Sequence, residues 1–112
     1  MHAYIRKTLH EFDLRLTEVC AASHIDSALE KQREILRLID TFSGILQDKN
    51  VTTSTLIEVN YHLKELITEC IISRNHLGDF HNVYEAQSNE IIEQIQRLVR
   101  VITRRIKKSI HH

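Results

Sequence analysis

Arg74, Asn75 and His81 are the residues whose types and spacing suit them to chemistry. A guanidinium near an imidazole pairs a group that stabilises negative charge with one that transfers protons, and needs no metal. The same stretch, SRNHLGDFH, also reads as a turn between two helices. Gly78 can take the left-handed conformation that ends a helix, and Asp79 can cap the next one. Arg74 and His76 would then lie near a helix C-terminus, where the dipole favours cations. The turn accounts for these residues without chemistry, so the stretch is read first as a hinge and second as a site.

A second candidate is electrostatic. All fifteen acidic residues precede position 97, together with nine of the fifteen basic ones. The remaining basic residues are Arg97, Arg100, Arg104, Arg105, Lys107 and Lys108, in the run RLVRVITRRIKK, with no acid among them. A chain that is neutral overall therefore has a strongly basic end, which points to an acidic partner. On a helix, Arg97, Arg100, Arg104 and Lys107 or Lys108 form a ridge opposite the apolar stripe. Such a ridge can follow a phosphate backbone with salt-dependent affinity and little sequence selectivity, or meet an acidic protein. No aromatic residue interleaves it, which argues against stacking on single-stranded bases. A membrane-surface role is not favoured, because the apolar face of this segment is needed by the core.

These residues must be positioned by helices. The chain has 112 residues, no proline and no tryptophan, with 42% hydrophobic residues. That is enough for one domain with one modest core of Leu, Ile and Val, spanning residues 1–110, with His111 and His112 as a tail. Ile5, Leu9, Phe12, Leu16 and Val19 recur in steps of three and four, the period of one helical stripe. Ser23 or Asp26 can cap the next segment, whose apolar face holds Leu29, Ile35, Leu38, Ile39, Phe42, Ile45 and Leu46. Gly44 weakens its last turn, and QDKN breaks it. Thr55 and Glu58 have capping-box spacing at the start of a third segment. There Leu56, Val59, Leu63, Leu66 and Cys70 form the stripe, widened by Ile67 and Ile71. The fourth segment runs through Tyr84, Ile91, Ile95, Leu98, Ile102 and Ile106.

The expected fold is all-α, an antiparallel four-helix bundle with a long fourth helix. Its rival is a three-helix arrangement in which residues 53–110 are nearly continuous. Earlier helices of about 20 to 24 residues would span roughly 30 to 36 Å, against about 45 Å for residues 80–109. The end carrying RRIKK is therefore expected to overhang the bundle. Val101, Ile102, Ile106 and Ile110 would then need a cover, most simply another copy of the chain.

The Arg74-Asn75…His81 pattern resembles the motif of the HEPN family: an arginine, usually a polar residue after it, and then a histidine, here at the longest spacing the motif permits. The resemblance covers about a dozen residues. It implies an all-α domain, often dimeric, acting as a metal-independent ribonuclease with Arg74, Asn75 and His81 at its site. It also implies that Tyr84 stands where some members carry a tyrosine. Separately, Tyr84, Glu90, Ile91 and the closing Lys107-Lys108-Ser109 look like the end of the four-helix accessory proteins of diversity-generating retroelements. That resemblance implies oligomers that bind a reverse transcriptase and RNA, although the second-helix features of that family are missing.

No metal or other cofactor is expected. Glu58 with His62, and Glu65 with Glu69, are four apart, whereas di-iron bundles need Glu-x-x-His on two helices plus further carboxylates. Tyr61-His62-Leu63-Lys64 lacks the spacing and glycine of a histidine phosphotransfer bundle. Cys20 and Cys70 lie far apart without metal or redox spacing, and are read as buried thiols. The charged N-terminal stretch lacks the apolar core of a signal peptide, and no apolar run is long enough to span a bilayer, so a cytoplasmic protein is expected. The function read from these features is a homo-oligomeric, non-enzymatic interaction module. It would present the basic helix to RNA, DNA or an acidic protein, with the ribonuclease as the alternative.

Overall fold

With no proline to interrupt them, the four periodic segments fold as four helices and no strand among the described residues. A computed structural model describes residues 2–22, 24–77 and 82–110. The elements are α1 (His2–Ala21), α2 (Ile25–Leu46), α3 (Thr53–Leu77) and α4 (Asn82–Ile110). α3 and α4 pack side by side on one another, so residues 53–110 do not form one long helix as in the three-helix alternative. The Gly78-Asp79 turn itself lies outside the described residues.

The helix starts differ in detail from the sequence expectations. α2 is preceded by His24, in extended conformation and with no side-chain cap, while Asp26 lies inside the first turn. There its carboxylate complements the positive end of the helix dipole without capping it. Ser23 is outside the described residues. At α3, the hydroxyl of Thr52 accepts from the backbone N–H of Thr55 at 3.2 Å, so the cap falls three residues before Thr55. Glu58 faces α1 instead, with an oxygen 3.7 Å from the Arg6 guanidinium. Several threonines in this run can cap. Burial of Val51 at the bundle end sets where the connection stops and the helix begins.

Consecutive helices are antiparallel, but their neighbours are not in chain order. The broad contacts are α3 with α4 and α1 with α2, and narrower ones join α2 to α4 and α1 to α3. The molecule is thus two αα-hairpins laid face to face, with α1 beside α3 and α2 beside α4. Across the hairpin junction the helices run parallel. Asp13 meets His62 at 3.3 Å and Arg6 meets Glu58, while Gln32 donates to Ser88 at 2.6 Å and Arg105 reaches the end of α2. The connection over residues 47–52 therefore crosses the bundle end diagonally.

The predicted stripes turn inward, except for Ile71 at the edge of the α3 stripe, which is exposed. Ile5, Leu9, Phe12, Leu16 and Val19 are buried, as are Leu56, Val59, Leu63, Leu66 and Cys70, and Tyr84, Ile91, Ile95, Leu98 and Ile102. Ile35, Ile39, Phe42 and Leu46 complete the core from α2, and Phe12 meets Phe42 edge-to-face at 5.9 Å. Each such side chain contributes about 1.5–3 kcal/mol of burial free energy. Gln32–Ser88 and Asn60–Thr103, the latter at 3.2 Å, tie both hairpin elements to α4 within this apolar interior.

The expected overhang of α4 is absent. Ser109 hydrogen-bonds Thr53 in the first turn of α3, and Ile106 is half-buried against the core. α3 spans 25 residues and pairs antiparallel with α4 along its length, so the two helices end flush. Of the residues expected to need a cover, Ile102 is in the core, and only Val101 and Ile110 are well exposed.

Candidate polyanion-binding face

The outer side of α4 is built by its amphipathic period. Core residues at 91, 95, 98 and 102 place Arg97, Arg100, Arg104, Lys107 and Lys108 on the opposite side, and all five are exposed. Arg97 pairs with Glu93 one turn earlier at 2.7 Å. Arg100, Arg104, Lys107 and Lys108 have no ion-pair partner among the described residues. From Arg97 to Lys108 the ridge runs about 17 Å at the helical rise. Lys107 and Lys108 also sit in the last turn, where cations complement the helix dipole.

Arg105 does something different from its neighbours. It lies on the flank of α4 that faces α2, and its guanidinium donates to the carbonyl oxygens of Leu46 and, at 3.0 Å, of Asp48. The first is one of the carbonyls left open where α2 stops, and the second belongs to the connection that follows it. The side chain thus closes the C-terminus of α2 and holds the diagonal connection in place. Nearby, the Asp48 carboxylate accepts from the Asn50 N–H at 2.8 Å, forming a local turn.

At the other candidate site, Arg74 is half-buried in the last turns of α3 and donates to the side-chain oxygen of Asn89 on α4 at 2.6 Å. Asn75 is exposed, and His81 lies outside the described residues. Tyr84, the tyrosine that the ribonuclease resemblance singles out, is fully buried. Its hydroxyl is shared with the Ser73 hydroxyl at 2.7 Å and donates to the Ser73 carbonyl at 3.3 Å. Burial holds the phenol above its ordinary pKa, against the opposing effect of the Ser73 contact. It staples α3 to α4 from within the core.

One feature had little sequence signal. A groove of about 670 Å³ runs between α1 and α3, with Leu16 and Leu66 in its lining beside Asp13, Cys20, His62 and Glu69. Among the described residues, no three His, Cys, Asp or Glu side chains converge so as to hold a metal ion. Cys20 is half-buried at this groove, not fully buried as expected, whereas Cys70 is buried and its thiol is pushed up to about 12, chiefly by desolvation. At neutral pH that thiol is protonated and a poor nucleophile.

The fold and this face define a class: a four-helix bundle of two paired hairpins with a cationic outer ridge. Set against the profiles of known families, characterised proteins and solved structures, the chain matches none of them. Among the described residues no helix is long and apolar enough to cross a membrane.

Proposed function

We propose that the protein is a non-enzymatic, self-associating helical interaction module whose α4 ridge binds a polyanion, with nucleic acid as the favoured partner. The observation that carries this reading is the set of four exposed cations, Arg100, Arg104, Lys107 and Lys108, without ion-pair partners among the described residues. Held on a rigid helix, they present a line of positive charge complementary to the negative charge of a phosphate backbone. Arg97 extends it once released from Glu93. The ridge carries no aromatic platform and no bidentate geometry aimed at base edges, so the binding is electrostatic and tolerant of sequence.

The test is RNA and DNA binding across a salt series. Four phosphate contacts on a duplex give a slope near −3.6 in log K against log salt, or roughly a hundredfold loss between 50 and 200 mM. Replacing Arg100, Arg104, Lys107 and Lys108 together by glutamine is expected to abolish this dependence. Binding that ignores either salt or the substitutions rejects the reading, and retention of an acidic protein instead would transfer the ridge to that partner. The same RNA, held in EDTA, is expected to stay intact. Cleavage that disappears in His81→Ala would replace the binding module by the ribonuclease.

A further inference from the structure

The outer face of α3 is apolar where a solvent-facing helix should be polar. Ile57 is 52% exposed, Tyr61 69% and Ile72 53%, and Ile71 is also exposed. Together with Lys64 and Thr68 they fall on one side of the helix, opposite Val59, Leu63, Leu66 and Cys70. α3 is therefore apolar on two faces, and a helix of that kind is normally covered on both. α2, by contrast, has no large exposed hydrophobic residue at all.

We infer that this face of α3 is a twofold interface with a second copy of the chain, the two α3 helices running antiparallel. The inference rests only on the self-association part of the proposed function, since the α4 ridge can fail to bind nucleic acid while this interface stands. Three observations lead to it. First, the pattern is self-complementary, as a twofold contact requires. About a centre between Lys64 and Glu65, Ile57 falls opposite Ile72 of the partner subunit and Tyr61 opposite Thr68 of the partner subunit. Apolar residues then close both ends of the contact.

Second, charge selects the antiparallel orientation. In α4, Glu85, Glu90 and Glu93 occupy the first half and the six basic residues the second. Antiparallel pairing sets α4 beside α4 of the other copy, with the acidic half of each level with the basic half of the other. Parallel pairing would set α4 beside α1 of the other copy. Arg6 and Lys7 lie at the same end of the bundle as the basic half of α4, because Arg6 meets Glu58 and Ser109 meets Thr53. Like charges would then face each other. Third, area requires the flanks. α3 is about 37 Å long at the helical rise. A strip one helix wide falls short of the roughly 800 Å² per partner of a stable interface, so the flanking helices α1 and α4 must contribute.

The experiment uses the full chain and measures mass in solution by light scattering across a dilution series, with helicity as the control for folding. Wild type is expected at twice the 13.2 kDa chain mass. Ile57→Lys alone and Ile72→Asp alone are each expected to weaken the dimer at least about tenfold at unchanged helicity, because both positions are exposed. Mixing the two variants is expected to restore it. In the antiparallel pairing the mixed dimer joins one new opposite-charge pair to one native Ile57–Ile72 contact. A monomeric wild type overturns both the interface and the self-association reading. A dimer indifferent to either substitution overturns this interface but leaves self-association through another face. Single-variant loss without recovery in the mixture overturns the antiparallel arrangement.

Discussion

The α1–α2 and α3–α4 hairpins share one core but divide the surface unequally. Among the described residues, nine large hydrophobic side chains are exposed; Tyr4 and Leu14 belong to the first hairpin, and the other seven lie on α3 and α4. The first hairpin is laced on the outside by ion pairs. Arg15 reaches Glu34 at 2.7 Å and Glu18 at 3.0 Å, and Lys31 reaches Glu18 at 3.3 Å. The second hairpin carries on its outer faces an apolar stripe and a basic ridge in which, among the described residues, only Arg97 has an ion-pair partner. One half satisfies itself, and the other presents surfaces that need partners. Under the function we propose, that division gives the first hairpin a structural role and the second a recognition role.

The comparison can be broken most strongly in the core. Phe12→Ala removes the edge-to-face contact with Phe42 and leaves a cavity in the first hairpin, at an expected cost of about 3–5 kcal/mol, read from urea unfolding. The exposed residues of α3 should show the reverse behaviour, since their replacement alters association and leaves the stability of the single chain nearly unchanged. A large loss of stability at Ile57 together with a small one at Phe12 would invert the assignment of the two halves.

Arg105→Ala is the next in size. It removes two charge-assisted hydrogen bonds to the end of α2, at an expected cost of about 1.5–3 kcal/mol, and should leave the salt dependence of nucleic-acid binding unaltered. Its neighbour Arg104→Ala should do the opposite: little change in stability, and a slope smaller by about one. If both behave alike, Arg105 belongs to the ridge and the connection is held by other contacts.

The smallest effect concerns the ion pairs of the first hairpin. Burial alone would raise the Glu18 carboxyl, but hydrogen bonds and charge from Arg15 and Lys31 outweigh it and hold the pKa below its ordinary 4.5. A carboxylate with a depressed folded-state value contributes stability above its unfolded value, and that contribution is lost as the pH falls through the folded one. Glu18→Gln should therefore lower stability slightly at neutral pH and flatten the fall in stability below pH 4.5. A fall as steep as wild type would place the acid sensitivity elsewhere. Because this network is partly exposed, the effect is small and weakens with salt.

Much of this was legible in the residues themselves. The stripes of α1, α3 and α4 could be read one by one, because a buried helix face repeats every three or four residues whatever it packs against. The basic ridge was legible for the same reason, since side chains opposite a core stripe must face outward. Arg105 was not separable from Arg104: adjacent residues differ by a turn of about 100°, and only the position of α2 makes one a capping donor and the other a free cation. Tyr84 looked like a candidate for chemistry because a tyrosine beyond the motif histidine fits the resemblance. The packing of Ser73 against it made it a core staple. Ile71 looked like a core residue because the stripe of α3 is broad, and the lack of a neighbouring helix on that side left it exposed.

The sequence by itself determined four helices, their inward faces and a basic last helix, since local periodicity and charge are carried by residues within one or two turns. Only the tertiary structure decided that the hairpins pair with α1 beside α3 and α2 beside α4, that α4 ends flush with α3, and that the outer face of α3 stays uncovered. Those outcomes depend on which apolar faces meet across the whole chain. An apolar side chain has the same composition and period whether its cover is another helix of the same bundle or another molecule.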